Sequence, residues 1–198
     1  MDILALHLSP RKNGNSAVMM KEFLRGTHDA GAESVEFSVA DLNIKPCHGC
    51  GACEKTGKCV IKDDDMAKLI PYLAKAPMVV VSTPLFFYDV PAQGKALIDR
   101  TQPLWSWRYT LNRTDSLRPE GKGFLLALGA TKGKDLFVPV NLCIKYFFDS
   151  IGMPKTFESL EFRQIEGLGD MAKHEDHMAT LYQAGLEFGR KRTEAVSI

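Results

Sequence analysis

"DILALHLSPRKNGNSAVMMKEFLRGTHDAG", residues 2–31, is the stretch on which the fold turns. Residues 2–8 are apolar almost throughout, the pattern of a strand covered on both faces by helices. "SPRKNGN" follows as a polar, glycine-containing turn. "SAVMMKEFLRGTHDAG" then spaces its apolar residues as a helix does, with Ser16 as the expected cap and Val18, Met19, Met20 and Phe23 on the inner side. Strand, polar turn and helix make the first half of a βαβ unit.

The alternation continues along the chain. Residues 34–40 alternate Val35, Phe37 and Val39 as a second strand. After a cysteine-rich segment, "DDDMAKLIPYLAKA" opens on carboxylates that suit a helix N-terminus, with Pro71 expected to bend it. Residues 78–84 form a third buried strand and 92–100 a third helix. Residues 101–122 read as an irregular aromatic excursion carrying Trp105, Trp107 and Tyr109. A fourth strand (123–130), a fourth helix (136–152), a fifth strand (156–162) and a last helix (174–191) complete the pattern. Strands alternating with helices imply right-handed crossovers and a parallel sheet. The expected fold class is α/β: a flavodoxin-like, doubly wound, five-stranded parallel sheet of order 2-1-3-4-5, with helices on both faces. A single domain over 1–198 is expected, with a cysteine-rich loop at 46–60.

At 198 residues such a domain buries an ample core without staples. Net charge is +1, so no strong field draws nucleic acid or an anionic membrane, and neither is expected as a partner. No apolar run has the length of a membrane span. The start, "MDILALHLSP", lacks a basic n-region and a signal-type cleavage site. The expected location is the cytoplasm, where thiols are kept reduced and a structural disulfide is disfavoured.

In doubly wound sheets ligands bind beyond the carboxyl ends of the strands, at the switch in winding direction. The loops after strands 1, 3 and 4 therefore carry the candidate chemistry. "SPRKNGNS" (9–16) has neither a dinucleotide G-x-G-x-x-G nor a nucleotide P-loop pattern. Its hydroxyls (Ser9, Ser16), the Arg11 cation and the N–H groups of a helix start can hold a phosphate dianion. An ordinary turn with a helix cap accounts for it equally well. "STPLFFYDVPAQGKALIDR" (82–100) stops its strand at Thr-Pro and sets Phe86, Phe87 and Tyr88 in succession. Three such rings cannot all enter a core, and at a strand end they suit a planar ring system or a subunit contact. "GATKGKD" (129–135) offers two glycines and Lys132, a weak pattern alone. Together the loops describe a site for a mononucleotide with a flat reactive head, such as FMN.

With these residues quoted, the sequence resembles the NADPH-dependent FMN reductase and iron-sulfur flavoprotein branch of the flavodoxin-like superfamily. The resemblance runs from strand 1 to about residue 152. It implies an FMN-binding oxidoreductase, usually a homodimer or homotetramer, taking electrons from NAD(P)H to a small acceptor or redox protein. It assigns the FMN phosphate to Ser9, Arg11, Asn13, Asn15 and Ser16. It places Thr83, Pro84, Leu85, Phe86, Phe87 and Tyr88 beside the isoalloxazine, and Ala130, Thr131, Lys132 and Gly133 at the ring edge. Leu8 stands where many members carry Gly, a change expected to narrow the room around the phosphate turn. No side chain is assigned as a catalytic acid or base. A backbone N–H or Lys132 near the pyrimidine edge would stabilise negative charge on the reduced flavin. Arg108 or Arg113, in "WSWRYTLNR", would be available to a pyridine-nucleotide phosphate, although a packed surface excursion explains that segment more simply.

"PCHGCGACEKTGKC" (46–59) holds four of the five cysteines in the spacing C-x2-C-x2-C-x5-C. Structural zinc usually draws its ligands from two separated knuckles, which this run lacks. A dense run of this kind resembles the cluster segment of the iron-sulfur flavoproteins, which makes Cys47, Cys50, Cys53 and Cys59 candidate ligands of a [4Fe-4S] cluster on the same sheet edge as the flavin. Three readings follow: an FMN oxidoreductase, an iron-sulfur flavoprotein transferring electrons between partners, and a thiol or zinc sensor on a receiver-like fold. The third leaves the aromatic loop unused. Cys143 reads as a small buried hydrophobe, and "HEDH" (174–177) as a polar helix start.

Overall fold

A computed structural model of the chain describes residues 1–115 and 117–192. Ser116, inside the aromatic excursion, and residues 193–198, inside the expected domain, lie outside the described residues. Five parallel strands, β1 (Ile3–His7), β2 (Ser34–Ser38), β3 (Met78–Pro84), β4 (Lys122–Gly129) and β5 (Glu158–Arg163), pair in the order β2-β1-β3-β4-β5. This is the doubly wound flavodoxin-like sheet expected from the sequence. β1 pairs with β3 from Ile3↔Met78 to His7↔Ser82, and β3 runs two residues further, to Pro84, paired there with β4.

The helices are α1 (Asn15–Asp29), α2 (Ala52–Thr56), α3 (Met66–Lys75), α4 (Ala92–Asp99), α5 (Gln102–Tyr109), α6 (Val138–Ser150) and α7 (Glu175–Arg190), with a short 3-10 turn at Met171–Lys173. Side chains alternate across the central strands. Ile3, Ala5, Met78, Val80, Phe124 and Leu126 meet Met19, Phe23 and Phe188 from α1 and α7. Leu4, Leu6, Val79, Val81, Leu125 and Ala127 meet Leu69, Leu97, Ile144 and Phe147 from the helices on the other face. Burial of each such side chain contributes about 1.5–3 kcal/mol, which explains why both faces of β1 and β3 are apolar.

Two helices fall where loops were expected. α5 occupies the aromatic excursion, because Pro103 lies in its first turn, where a missing N–H costs nothing. α2 occupies the cysteine segment, flanked by Gly51 (φ 67°) and Gly57 (φ 68°) in the left-handed region. Pro71 lies inside α3 without ending it. Ser16 is not the cap of α1: the helix starts at Asn15 after Gly14, with no side-chain cap bond.

α1 and α7 pack at very short range through glycines. A Cβ on Gly185 would lie 2.0 Å from the Phe23 carbonyl oxygen, and one on Gly26 would lie 2.2 Å from that of Tyr182. This contact sets where the N-terminus of α1 points. Gly185→Ala is expected to cost at least about 1–3 kcal/mol through overpacking. A urea midpoint unchanged by that substitution would show that the helices approach less closely than described.

Candidate functional site

The carboxyl ends of β1, β3 and β4 open into a cleft of about 190 Å³. The β1–α1 loop contributes Ser9, Arg11, Gly14, Asn15 and Ser16, and the β3–α4 loop contributes Pro84, Leu85 and Phe86. Leu128, Gly129 and Ala130 close it from β4. A fourth wall, Ile165, Glu166 and Leu168, comes from the β5–α7 connection and was not read from the sequence.

In the first loop, Ser9 is buried and its Oγ accepts from the Arg11 N–H at 3.1 Å, which curls the chain into a tight turn. Gly14 completes the curl: a Cβ there would lie 3.3 Å from Arg11 Cβ. The turn delivers the start of α1, where Asn15 and Ser16, its first two residues, line the cleft. Ser82 Oγ, on β3, donates to the Ser16 carbonyl oxygen at 2.6 Å and fixes the helix start to the sheet. Asn15, in the loop the resemblance assigns to the phosphate, lines the cleft, and its side-chain amide bonds the neighbouring wall. Its Nδ2 donates to the Gly167 carbonyl at 2.7 Å and its Oδ1 accepts from the Met171 N–H at 3.2 Å. The Asn15 amide thereby holds the fourth wall in place. Asn13 is exposed and does not line the cleft. Leu8 is fully buried and packs on Gly94 of α4, where a Cβ would lie 2.8 Å from Leu8 Cβ.

The second loop carries the strain. Phe86 and Asp89 exchange backbone hydrogen bonds of 2.8 and 3.1 Å, closing a two-residue turn around Phe87 and Tyr88. Both central residues have positive φ, 51° and 69°, a region favoured by Gly or Asn. The turn projects Phe87 wholly into solvent, at 103% exposure, with Phe86 and Tyr88 about half exposed. Backbone strain of about 1–3 kcal/mol per residue persists only where surrounding structure imposes it, and it concentrates at ligand clamps. Thr83 is buried, its hydroxyl donating to the Pro84 carbonyl at 2.9 Å, so it shapes the loop from beneath.

In the third loop, Gly129 packs closely: a Cβ would lie 2.9 Å from Leu136 Cδ2 and 3.4 Å from Leu85 Cδ1, both ends of flexible side chains. Ala130, Thr131 and Lys132 are exposed, and only Ala130 lines the cleft. Gly133 lies against the Tyr88 hydroxyl, so the second and third loops touch. Arg163, at the end of β5, holds the third loop by donating to the Gly133 carbonyl.

The four cysteines line one cavity of about 400 Å³, which shares no lining residue with the cleft. Asp99, Arg100, Gln102 and Pro103, at the α4–α5 junction, form its far wall. α4 starts at Ala92, and its eight residues carry the chain about 12 Å to this wall. All four thiols are free of disulfides. Among the described residues no three His, Cys, Asp or Glu side chains are gathered to hold a single metal ion.

The sequence model of the NADPH-dependent FMN reductase family matches residues 1–121. The chain belongs to the NADPH-dependent FMN reductase family. It is 35% identical over 104 residues to an iron-sulfur flavoprotein of Methanocaldococcus jannaschii, covering 52% of this chain and 53% of that protein. It is 33% identical over 139 residues to an iron-sulfur flavoprotein of Archaeoglobus fulgidus, covering 69% and 67%. The chain spans about half the length of the first curated relatives it matches. An FMN-dependent NADH-azoreductase from Bacillus anthracis, solved in complex with FMN, superposes with a TM-score of 0.69 at 12% identity, covering 94% of this chain and 99% of that one, a likeness of fold.

Other sequence features of this FMN reductase family member have structural partners. Arg108 donates to buried Asp149 at 2.7 Å, beside the Tyr109 hydroxyl. Arg113 lies over the Trp107 ring. Cys143 is partly buried against the core, and burial pushes its thiol up to about 12. His174 and His177 stack at 4.7 Å around the start of α7. No described helix is long and apolar enough to cross a membrane.

The strain in the aromatic turn is measurable. Phe87→Gly removes a side chain that packs on nothing and relieves a positive φ, so stability is expected to rise by about 1 kcal/mol. A lower urea midpoint for this variant would show that the turn is not strained.

Proposed function

We propose that the chain is an FMN-dependent oxidoreductase that takes electrons from NAD(P)H and passes them to a small acceptor or a redox partner. The carrying observation is the cleft at the switch point, with an anion-binding turn at one end and a strained, projecting aromatic turn at the other. The residues present fit FMN. The Gly14 curl leaves room that a Cβ would fill, and the Ser9 and Ser16 hydroxyls, the Arg11 cation and the α1 N-terminus are donors suited to a phosphate.

When bound, FMN supplies hydride acceptance from NAD(P)H and onward electron transfer. The chain's residues bind and orient. Ser9, Arg11 and Ser16 hold the phosphate, and Asn13 stands at the rim of the same turn. Asn15 keeps the β5–α7 wall against it, where Glu166 offers an acceptor to ligand hydroxyls. Pro84, Leu85 and Phe86 present an apolar surface to the ring, over the support of Thr83. Phe87 and Tyr88 extend that surface outward and exclude water from one side. Ala130, Thr131, Lys132 and Gly133 form the opposite rim, with Lys132 placing positive charge there. No side-chain acid or base is needed. We also propose that the chain is one domain and acts as a homodimer or homotetramer. Val138, Leu142 and Tyr146, exposed at i, i+4 and i+8 on α6, support such a contact.

A specific observation favours the iron-sulfur flavoprotein as a second reading. Cys47, Cys50, Cys53 and Cys59, spread over two loops and α2, all line one cavity of a size that takes a multi-atom centre such as [4Fe-4S]. When bound, a cluster supplies one-electron transfer.

Anaerobic mixing of the FMN-loaded protein with NADPH or NADH tests the main reading. Rapid bleaching of the flavin band is expected with at least one of them, and no bleaching with either contradicts it. Arg11→Ala is expected to weaken FMN binding about tenfold through loss of a charge-assisted contact, measured by flavin fluorescence. For the second reading, Cys50→Ser should lose iron and sulfide while keeping FMN. Equal iron in variant and parent would remove Cys50 from the ligand set.

A further inference from the structure

The cysteine loop is held from outside by a buried ion pair that neither the cleft nor the electron-transfer reading uses. Arg100 ends α4, is 2% exposed, and is the sole Lys or Arg among the residues lining the cysteine cavity. Its Nη1 donates to the Lys45 carbonyl at 2.7 Å and to Asp64 Oδ2 at 2.5 Å. Its Nη2 donates to the Ile61 carbonyl at 3.3 Å and to Asp64 Oδ1 at 3.2 Å. Lys45 immediately precedes Pro46, and Ile61 lies two residues beyond Cys59. One guanidinium therefore binds both stems of the cysteine loop.

Asp64 completes the arrangement. Its Oδ2 also accepts from the Lys45 N–H at 3.0 Å and its Oδ1 from the Met66 N–H at 3.2 Å. Asp64 does not line the cavity, so the cation lies between the carboxylate and the thiols. Farther along the loop, Trp107 Nε1 donates to the Gly57 carbonyl at 2.7 Å, and the Gly57 Cα lies close under the indole. The remaining Arg100 donor, Nε–H, is buried without a hydrogen-bond partner among the described residues. Burial works against the guanidinium charge, but Asp64 and the adjacent Cys59 sulfur outweigh it and hold Arg100 above its ordinary range.

We propose that Arg100 is the positioning residue of the cysteine cavity: it clasps both stems of residues 46–60 and keeps one N–H for a sulfur of the site. The sulfur part of this rests on reading the cavity as a metal–sulfur site; the clasp does not. A planar fork with five donors can reach two carbonyls and a carboxylate at once, whereas a lysine ammonium is a compact point charge. A thiolate-ligated cluster is anionic, and a hydrogen bond to one of its sulfurs favours the reduced form. Breaking a buried pair on one side leaves the other charge unpaired, whereas replacing both partners with apolar residues restores packing. That difference separates fold support from loop positioning.

The test uses the FMN-loaded full chain, purified anaerobically, as parent, Arg100→Lys, and the double variant Arg100→Met/Asp64→Leu. Amide hydrogen exchange is followed across residues 43–66, with α1 and β3 as internal controls and FMN content as the measure of folding. Exchange in 43–66 is expected to rise severalfold in both variants while the controls stay unchanged. Iron and sulfide per chain are expected to fall, and iron that remains in Arg100→Lys is expected to titrate at a more negative potential. The double variant is expected to recover thermal stability without recovering loop protection. If it fails to retain FMN, Arg100→Lys alone decides. Unchanged exchange in a folded variant overturns the clasp, and unchanged iron content and potential overturn the sulfur contact. A parent without iron removes the metal–sulfur reading and the sulfur contact with it, and the exchange result still decides the clasp.

Discussion

Two hydrogen bonds at Ser82 hold the cleft together. Its carbonyl accepts from the Leu8 N–H at 2.9 Å, and its hydroxyl donates to the Ser16 carbonyl at 2.6 Å. Ser82 is fully buried between β1 and β4, where an unmade polar contact would be costly. One residue of β3 thereby fixes both the exit from β1 and the entry to α1. The β1–α1 turn lies between those two fixed points, and the aromatic turn begins four residues after Ser82, at Phe86. The geometry of the candidate site follows from this tie between β1, β3 and α1.

Elsewhere the chain relies on tight local constraints. Glycines let α1 and α7 touch backbone to backbone, and Asn15 at the head of α1 reaches across 152 residues of sequence to hold the β5–α7 wall. On the other face, the Arg100–Asp64 pair stands almost wholly out of water. Such a pair offsets its own desolvation only when its remaining donors and acceptors are satisfied. Backbone groups at Lys45, Ile61 and Met66 do so for all but one donor, which explains why the loop stems converge on it.

The sheet was legible because buried parallel strands are apolar on both faces, and residues 2–8, 78–84 and 123–130 show this plainly. The three loops followed from topology. The fourth wall was not legible, since Ile165 and Leu168 are held at the cleft by long-range bonds, from Asn15 to Gly167 and from Ile165 to Gly129. α5 was not legible within residues 101–122, which read as an irregular aromatic excursion, although Pro103 lies in its first turn, where proline is tolerated. The position of the cysteine cavity depended on the length of α4 and on Arg100, whose partners lie 36 to 55 residues away. Asn15 stands in the expected loop and lines the cleft, while its side-chain amide bonds the neighbouring wall, a partner that local sequence does not show.

The proposed site requires the β1–α1 turn to hold the phosphate of a flavin mononucleotide. Comparing FMN with riboflavin, which lacks only that phosphate, tests it most directly. With flavin-free protein and flavin fluorescence as the readout, FMN is predicted to bind about a hundredfold tighter than riboflavin, the worth of one or two charge-assisted contacts. Equal affinity for the two flavins would contradict it.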